Sequence, residues 1–454
     1  MGSSVNSFRA IASLLMLCAA GLAQAQQRVP PGIYFRDACE AGERLTIAAV
    51  GDLLFHFNLQ QQALSKGATF AQLWDPVAHV FKRADIVYGN LEGPTARNVT
   101  GYGRELKLPA QKTERFYDRR FYSGGEQDVL IFNYHPSVVA DLKAGGFHVV
   151  STANNHSADR GPLGIDRTID ELEANELAFT GTRRRGETVQ KRPWSTITRA
   201  KGFSVAWLAC TYALNGMADP HMQVLECFGS RGETRPEVLD EIRRLAAMPD
   251  IDAIMFTPHW GIEYAQQPSA QQRRLAHEAI DAGASAVLGA HPHVLQPWEH
   301  YTAADGREAL IVYSSGNFVS SQIRTETRTG LISLIELTRA PDRKVRLTAA
   351  GYVPTWVSFV NPWRVVENTG KDSAEGLRLT MRLLPPGNRV LSSAMADLPK
   401  ACGVAAAQAS AQTPAADTTG AITPAAPVRV APKPKAKDRP PSVPAVGFNT
   451  REVW

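Results

Sequence analysis

Leu45-Thr46-Ile47-Ala48-Ala49-Val50-Gly51-Asp52 is an apolar run closed by a glycine and a carboxylate, and the same pattern returns along the chain. A short apolar run bounded by turn residues reads as a strand buried on both faces. Beyond it, Trp74, Val77, Val80, Phe81 and Ala84 recur at spacings of mostly three and four, which predicts a helix. Residues 85–88 predict a second strand, stopping at Gly89-Asn90. The cycle repeats with a helix over 138–144, a strand over 147–150 ending in Ala153-Asn154-Asn155-His156, and a helix over 167–177. Further strands are predicted over 203–209, 253–256, 286–288 and 310–313, and helices over 236–247 and 270–282. Such alternation indicates an α/β layered sheet rather than separate all-α or all-β domains. No linker-like break interrupts residues 40–370, so they read as one large domain, with 371–402 as its C-terminal extension. Residues 101–128 lack periodicity and read as an inserted loop.

The two ends differ from this body. Arg9 is the only charge before the apolar run 11–22, which is too short for a permanent membrane span and is followed by Ala23-Gln24-Ala25. That combination predicts a signal peptide over 1–25, cleaved near Ala25, and hence a periplasmic or secreted protein. Residues 403–454 are rich in Ala, Pro and Lys, bury too little to offset their ordering entropy, and read as a disordered tail. The formal net charge is +5, of which +1 falls in 1–25 and +3 in 403–454, leaving +1 for 26–402. The body is therefore near neutral, and no nucleic-acid partner is expected. Loss of Cys18 with the signal leaves Cys39, Cys210, Cys227 and Cys402, enough for two disulfides in an oxidising compartment. Of the three pairings, Cys39–Cys402 with Cys210–Cys227 is favoured, because the first would tie the ends of the patterned region together.

Chemistry collects where the strands stop. Five apolar runs end in residues able to bind metal: Gly51-Asp52, Gly89-Asn90-Leu91-Glu92, Asn154-Asn155-His156, Pro258-His259-Trp260-Gly261 and Gly289-Ala290-His291-Pro292-His293. A sixth, Ser315-Gly316-Asn317-Phe318, ends in an amide. Ligands of open α/β folds bind beyond the carboxyl ends of strands. Singly, each residue reads as a turn, a cap or a packed histidine. Together, carboxylates, imidazoles and amides suit two divalent ions such as Mn, Zn or Fe. His291 and His293 are expected on the same side of an extended segment, so both can face one pocket.

In this order, these motifs, with Asp159, Gly161 and Glu263, resemble the CapA family over residues 45–357. Its members are associated with poly-γ-glutamate capsule synthesis and export and are related to calcineurin-like metallophosphoesterases. The resemblance implies a four-layer α-β-β-α sandwich of the metallophosphoesterase type, with two metals at the strand ends. By position it implies Asp52 and His293 on the first metal, Asn155, His259 and His291 on the second, and Glu92 bridging, with Asn90 a neighbour or alternative. His156 matches a histidine that protonates the leaving group, and Asp159 stands where it could orient that ring or serve a turn. One departure is plain. The superfamily opens with Asp-x-His, whereas here the nearest histidine, His56, comes four residues after Asp52.

The resemblance implies metal-dependent hydrolysis or transfer on an anionic envelope polymer such as poly-γ-glutamate, with capsule synthase subunits as possible partners and a place peripheral to the membrane or cell wall. A non-enzymatic polymer-binding accessory role and a general periplasmic metallophosphoesterase are the alternatives. Trp260 and Trp298 are expected to pack the site walls. Glu263 and Glu299 read as pocket-lining groups or as ordinary surface charges. Arg183-Arg184-Arg185 reads as an anion contact or a solvated loop, and His79, His135, His148, His221, His277 and His300 receive no role.

Overall fold

The opening run forms β1, Glu43–Leu53, and it buries both faces. Side chains alternate across a strand, so Leu45, Ile47 and Ala49 enter one apolar cluster while Ala48 and Val50 enter another. The computed structural model describes residues 31–106, 123–124, 131–394 and 398–400. The expected signal peptide and tail, and most of the expected inserted loop, lie outside the described residues.

In chain order β1 is followed by α1 (Phe57–Ala63), α2 (Ala78–Phe81), β2 (Ile86–Leu91), β3 (Ser123–Gly124), β4 (Phe132–Asn133), α3 (Ser137–Ala144), β5 (Val149–Ser151), α4 (Gly161–Ala174) and β6 (Ala178–Thr180). Then come β7 (Thr196–Ala200), β8 (Phe203–Thr211), α5 (Pro236–Ala246), β9 (Ala253–His259), α6 (Ala270–Ala282), β10 (Ala286–Leu288), β11 (Trp298–Thr302) and β12 (Glu308–Val312). The remainder is β13 (Asn317–Val319), α7 (Thr325–Arg328), β14 (Thr329–Arg339), β15 (Val345–Ser358), β16 (Arg364–Glu367) and α8 (Ala374–Leu383).

Two sheets carry the fold. The first has the order β16-β15-β14-β1-β2-β5-β6, with β13 also pairing β1, and the second the order β11-β12-β10-β9-β8-β7. Parallel pairs β1–β2, β2–β5 and β5–β6 in the first, and β8–β9, β9–β10 and β10–β12 in the second, align their carboxyl ends. Between the sheets lies one apolar cluster, in which Tyr88 of β2 stacks on Trp207 of β8 at 5.2 Å between ring centroids. A second cluster sits outside the first sheet under Trp74, Leu142 and Ile169, and a third outside the second sheet under Ile242, Leu245, Leu275 and Ile280. The layers therefore run helix, sheet, sheet, helix, the four-layer sandwich that the resemblance implies.

Three local readings need correction. The helix predicted around Trp74 to Ala84 is two 3-10 turns, Phe70–Leu73 and Asp75–Val77, and the four-residue α2. Pro76 explains this, since it cannot donate within a continuous helix. The long antiparallel pair β14–β15, next to β1 in the first sheet, belongs to no predicted element. Trp260 and Trp298 are buried in the third and inter-sheet clusters rather than in site walls, and Trp260 Nε1 donates to the Tyr313 carbonyl at 3.0 Å.

Cys210–Cys227 is bonded as expected, with Cα atoms 5.0 Å apart. Cys39 is also disulfide-bonded, and Cys402, the partner expected for it, lies outside the described residues. No helix among the described residues is long and apolar enough to cross a membrane.

Candidate metal centre

The parallel strands of both sheets deliver the polar residues to one place. Asp52 lies near the end of β1, Asn90 in β2 with Glu92 just beyond it, and Asn155 and His156 in the turn after β5. His259 ends β9, while His291 and His293 follow β10. Asn317 opens β13 and pairs in register with Asp52. That pairing needs Gly51, because a Cβ there would stand 1.9 Å from the Gly316 carbonyl oxygen. All nine expected site residues are buried, Glu92 at 0 % exposure.

The atoms interlock. Asn90 Nδ2 donates to Asp52 Oδ1 at 2.8 Å and stands 3.1 Å from His259 Nδ1. His259 Nε2 lies 2.9 Å from Asn155 Oδ1 and 3.5 Å from Glu92 Oε1. His293 Nδ1 sits 3.0 Å from Asp52 Oδ2 and 3.1 Å from Asn317 Oδ1, and its Nε2 is 3.7 Å from Glu92 Oε1. Two carboxylate–histidine groups have ligand atoms within 4.8 Å of one another: Glu92 with His291 and His293, and Asp52 with Glu92 and His259. Glu92 belongs to both, as a bridging carboxylate must. The resemblance implies His291 with His259 and His293 with Asp52, and those pairs also stand close, with ring centroids 4.8 Å apart and His293 Nδ1 at 3.0 Å from Asp52 Oδ2.

These residues fit divalent ions. Both oxygens of Glu92, Asn90 Oδ1 and His291 Nδ1 are buried without a hydrogen-bond partner among the described residues. Such atoms are costly unless something supplies the missing partner, and a cation would. Burial, and then the charge of Asp52, push the Glu92 carboxyl well above the usual carboxylate range. Burial also pushes His291 down to about 3 and holds His259 well below the usual imidazole value, with His291 and His293 adding to the effect on His259. Neutral imidazole is the form that binds metal, and a bound cation would favour ionised Glu92.

His291 and His293 do converge, with ring centroids 5.8 Å apart, but the segment is not extended. Both lie in bends with positive φ, +100° and +58°. Side chains rarely adopt that region, and such strain clusters at functional sites. Strand alternation was thus the wrong reason for their shared direction.

His156 faces the centre from the side. Its Nδ1 lies 2.8 Å from Asp159 Oδ2, which also accepts from the Phe132 amide at 2.6 Å, and the Phe132 ring packs edge-on against the imidazole at 4.4 Å. This leaves Nε2 as the nitrogen for other work. Of the two acids with open roles, Glu299 binds His277 at 2.7 Å and the Tyr313 hydroxyl at 2.7 Å, in the structural layer outside the second sheet. Glu263 is exposed and close enough to perturb Glu92 and Tyr212. Arg184 pairs with Asp170 and Glu173, Arg185 with Asp166, and Arg183 stacks on Trp194 at 4.0 Å, so this triplet is tied to α4 and a neighbouring loop.

Several site neighbours carry no sequence signal of their own. Asn215 accepts from Asn155 Nδ2 at 3.2 Å, which turns the Asn155 oxygen toward His259. Tyr212 lies with its ring 4.4 Å from His291. Both stand on the loop closed by Cys210–Cys227. Only Tyr212 was findable, since it follows the carboxyl end of a parallel strand.

His56, the histidine nearest to the missing Asp-x-His position, is half-buried. Its ring packs edge-on against Phe132 at 5.6 Å, and burial pushes it down to about 4 from 6.5. A lowered folded value stabilises fully above pH 6.5 and is lost as pH falls through about 4. The contribution is about 3 kcal/mol. The urea midpoint of chelated protein is expected to fall between pH 6.5 and 4, less so in His56→Gln. Equal pH slopes in the two proteins would remove His56 as the cause.

Comparison with known proteins bears out the family resemblance. A family model described as bacterial capsule synthesis protein PGA_cap matches residues 46–322. The capsule biosynthesis protein CapA of Bacillus anthracis is 28% identical over 291 residues, covering 63% of this chain and 62% of that protein. The PGA biosynthesis protein CapA of Bacillus subtilis is 27% identical over 286 residues, covering 63% of this chain and 65% of that one. The match thus spans less than two thirds of either relative's length. A solved phosphatase from Mycoplasma pneumoniae overlaps 69% of this chain and 94% of its own, with 11% identity and a TM-score of 0.36. At that score nothing about chemistry follows, and the four layers rest on the packing described above.

Proposed function

Because this chain belongs to the bacterial capsule synthesis protein family, we propose that it acts on poly-γ-glutamate or a similar envelope polymer by metal-dependent hydrolysis or transfer. One observation carries the reading: a buried carboxylate, Glu92, with both oxygens lacking hydrogen-bond partners among the described residues, stands amid Asp52, His259, His291 and His293. Two divalent ions held by these residues with Asn155 would supply hydroxide near neutral pH and balance the charge that develops on the reacting oxygen. Asn90 holds Asp52 in place through its amide. His156, its Nδ1 fixed by Asp159, delivers a proton from Nε2 to the departing oxygen or nitrogen. The names of the two relatives support the polymer, and the predicted signal peptide with the Cys210–Cys227 disulfide supports a periplasmic or secreted location.

The test is metal analysis followed by a substrate screen. The folded, unchelated protein is expected to hold about two divalent ions and, with Mn, to cleave a γ-glutamyl amide or a phosphodiester. His156→Ala is expected to keep the metals and lose about 10²-fold or more in cleavage. A metal-free folded sample would sink the central claim. Metal retention without cleavage of either substrate would leave a polymer-binding protein.

A further inference from the structure

Resting on that proposed reading, the geometry points to a subsite for an oxyanion of the substrate, a carboxylate or phosphate, formed by Arg324 stacked on Tyr264 at the mouth of the proposed metal centre. The Arg324 guanidinium carbon lies 4.3 Å from the centroid of the Tyr264 ring. That ring lies in turn 6.1 Å from the ring of His293. The Tyr264 amide donates to the Pro292 carbonyl at 2.8 Å, between the two histidines of the motif, so the aromatic platform is fixed to the metal-binding bend itself. Tyr264 also holds a positive φ of +65°, a costly conformation for a bulky side chain.

The other half of the pair is tied to the site as well. Arg324 lies seven residues beyond Asn317, whose Nδ2 donates to Gln322 Oε1 at 3.1 Å while its Oδ1 faces His293 Nδ1. The segment carrying Arg324 is therefore joined to the site through Asn317.

The charge of Arg324 is unspent. Among the described residues it forms no ion pair with any carboxylate, whereas Arg167, Arg184, Arg185, Arg192, Arg339 and Arg346 all do. Nearby Arg328 is spoken for differently: its guanidinium sits 4.1 Å from the Trp356 and Phe359 rings and donates to the Val357 carbonyl. Arg324 and Tyr264 are both exposed, Tyr264 at 42 %. Stacking holds the guanidinium plane while leaving its N–H edges free, and that fork matches a carboxylate or phosphate in two-point contact. Exposed Glu263 opposes an anion here, but bound divalent ions would outweigh the pocket's own carboxylates. A γ-glutamyl amide carries an α-carboxylate a few bonds from its carbonyl. A carboxylate seated on Arg324 would orient the chain so that the next amide enters the centre.

Arg324 is exposed, so its replacement is expected to leave the fold and the residues of the centre intact. Binding to the full-length, Mn-loaded protein is measured by calorimetry with three probes: a γ-glutamyl oligomer, the same oligomer with its α-carboxylates amidated, and glycerol phosphate. Arg324→Ala is expected to weaken the oligomer about 10- to 100-fold. Arg324→Lys, a point charge without the fork, is expected to fall between. The amidated oligomer should bind the parent protein as weakly as the free oligomer binds Arg324→Ala. If glycerol phosphate alone is weakened, the oxyanion taken is a phosphate. If Arg324→Ala binds all three probes like the parent, the subsite does not exist. Metal content is read in the same samples, so its absence from the parent protein would count against the underlying metal reading and not against Arg324.

Discussion

Glu92→Gln is expected to lose the metals and, with them, about 10³-fold or more of any cleavage. Glu92 is shared by both carboxylate–histidine groups, so its charge is needed for each ion. Glutamine keeps the shape but supplies one neutral oxygen. The same variant separates metal binding from folding. Without metal the Glu92 carboxyl is pushed well above its ordinary range, toward the neutral form, so glutamine replaces a group much like itself. Chelated parent and chelated variant should therefore unfold at nearly the same temperature. Mn at about 1,000 times its Kd should stabilise the parent by about 4 kcal/mol and the variant hardly at all. Calorimetric scans with and without Mn decide it, and equal Mn stabilisation in both proteins would show that Glu92 is no ligand.

Trp207→Ala is expected to cost about 3–5 kcal/mol, the largest loss foreseen for a position away from the centre. Trp207 is fully buried between the sheets, stacks on Tyr88 with the planes 7° apart, and donates from Nε1 to Thr198 Oγ1 at 2.8 Å. Alanine leaves a cavity between two layers that cannot collapse without moving a whole sheet, and it orphans the threonine's acceptor. Trp207→Phe keeps a ring against Tyr88 and should lose distinctly less. Thermal melts of the two chelated variants provide the comparison. A loss below about 1 kcal/mol for alanine would mean that the inter-sheet layer repacks freely.

Parallel strands buried on both faces were legible because their apolar runs are continuous, and their ends were legible because the ligands stand within a few residues of them. The β14–β15 pair was not. Thr329–Arg339 buries Ser333, Glu336 and Thr338, which interrupt the apolar pattern. Two of them find distant or cross-strand partners: Glu336 accepts from Thr348 at 2.9 Å and pairs with Lys400 at 2.6 Å, and the Thr338 hydroxyl meets that of Thr348 at 2.7 Å. The residues that the structure brings together at the candidate centre were legible because each motif is local. Asn215 and Arg324 were invisible for the opposite reason. Asn155 and Asn215 are 60 residues apart, and so are Tyr264 and Arg324, and neither pair makes a pattern that a window of sequence could hold.

The centre draws Asp52, Glu92 and Asn155 from the strand ends of one sheet and His259, His291 and His293 from those of the other. No short stretch of the chain can grip an ion tightly before the two sheets meet. If the centre takes ions as proposed, loading is therefore a late event in the life of each molecule, completed wherever folding is completed. The ion that fills it would then be chosen as much by what is dissolved in that compartment as by the ligands. A preparation refolded in a test tube could carry a different metal from one folded in its native surroundings, with the same coordinates and a different chemistry.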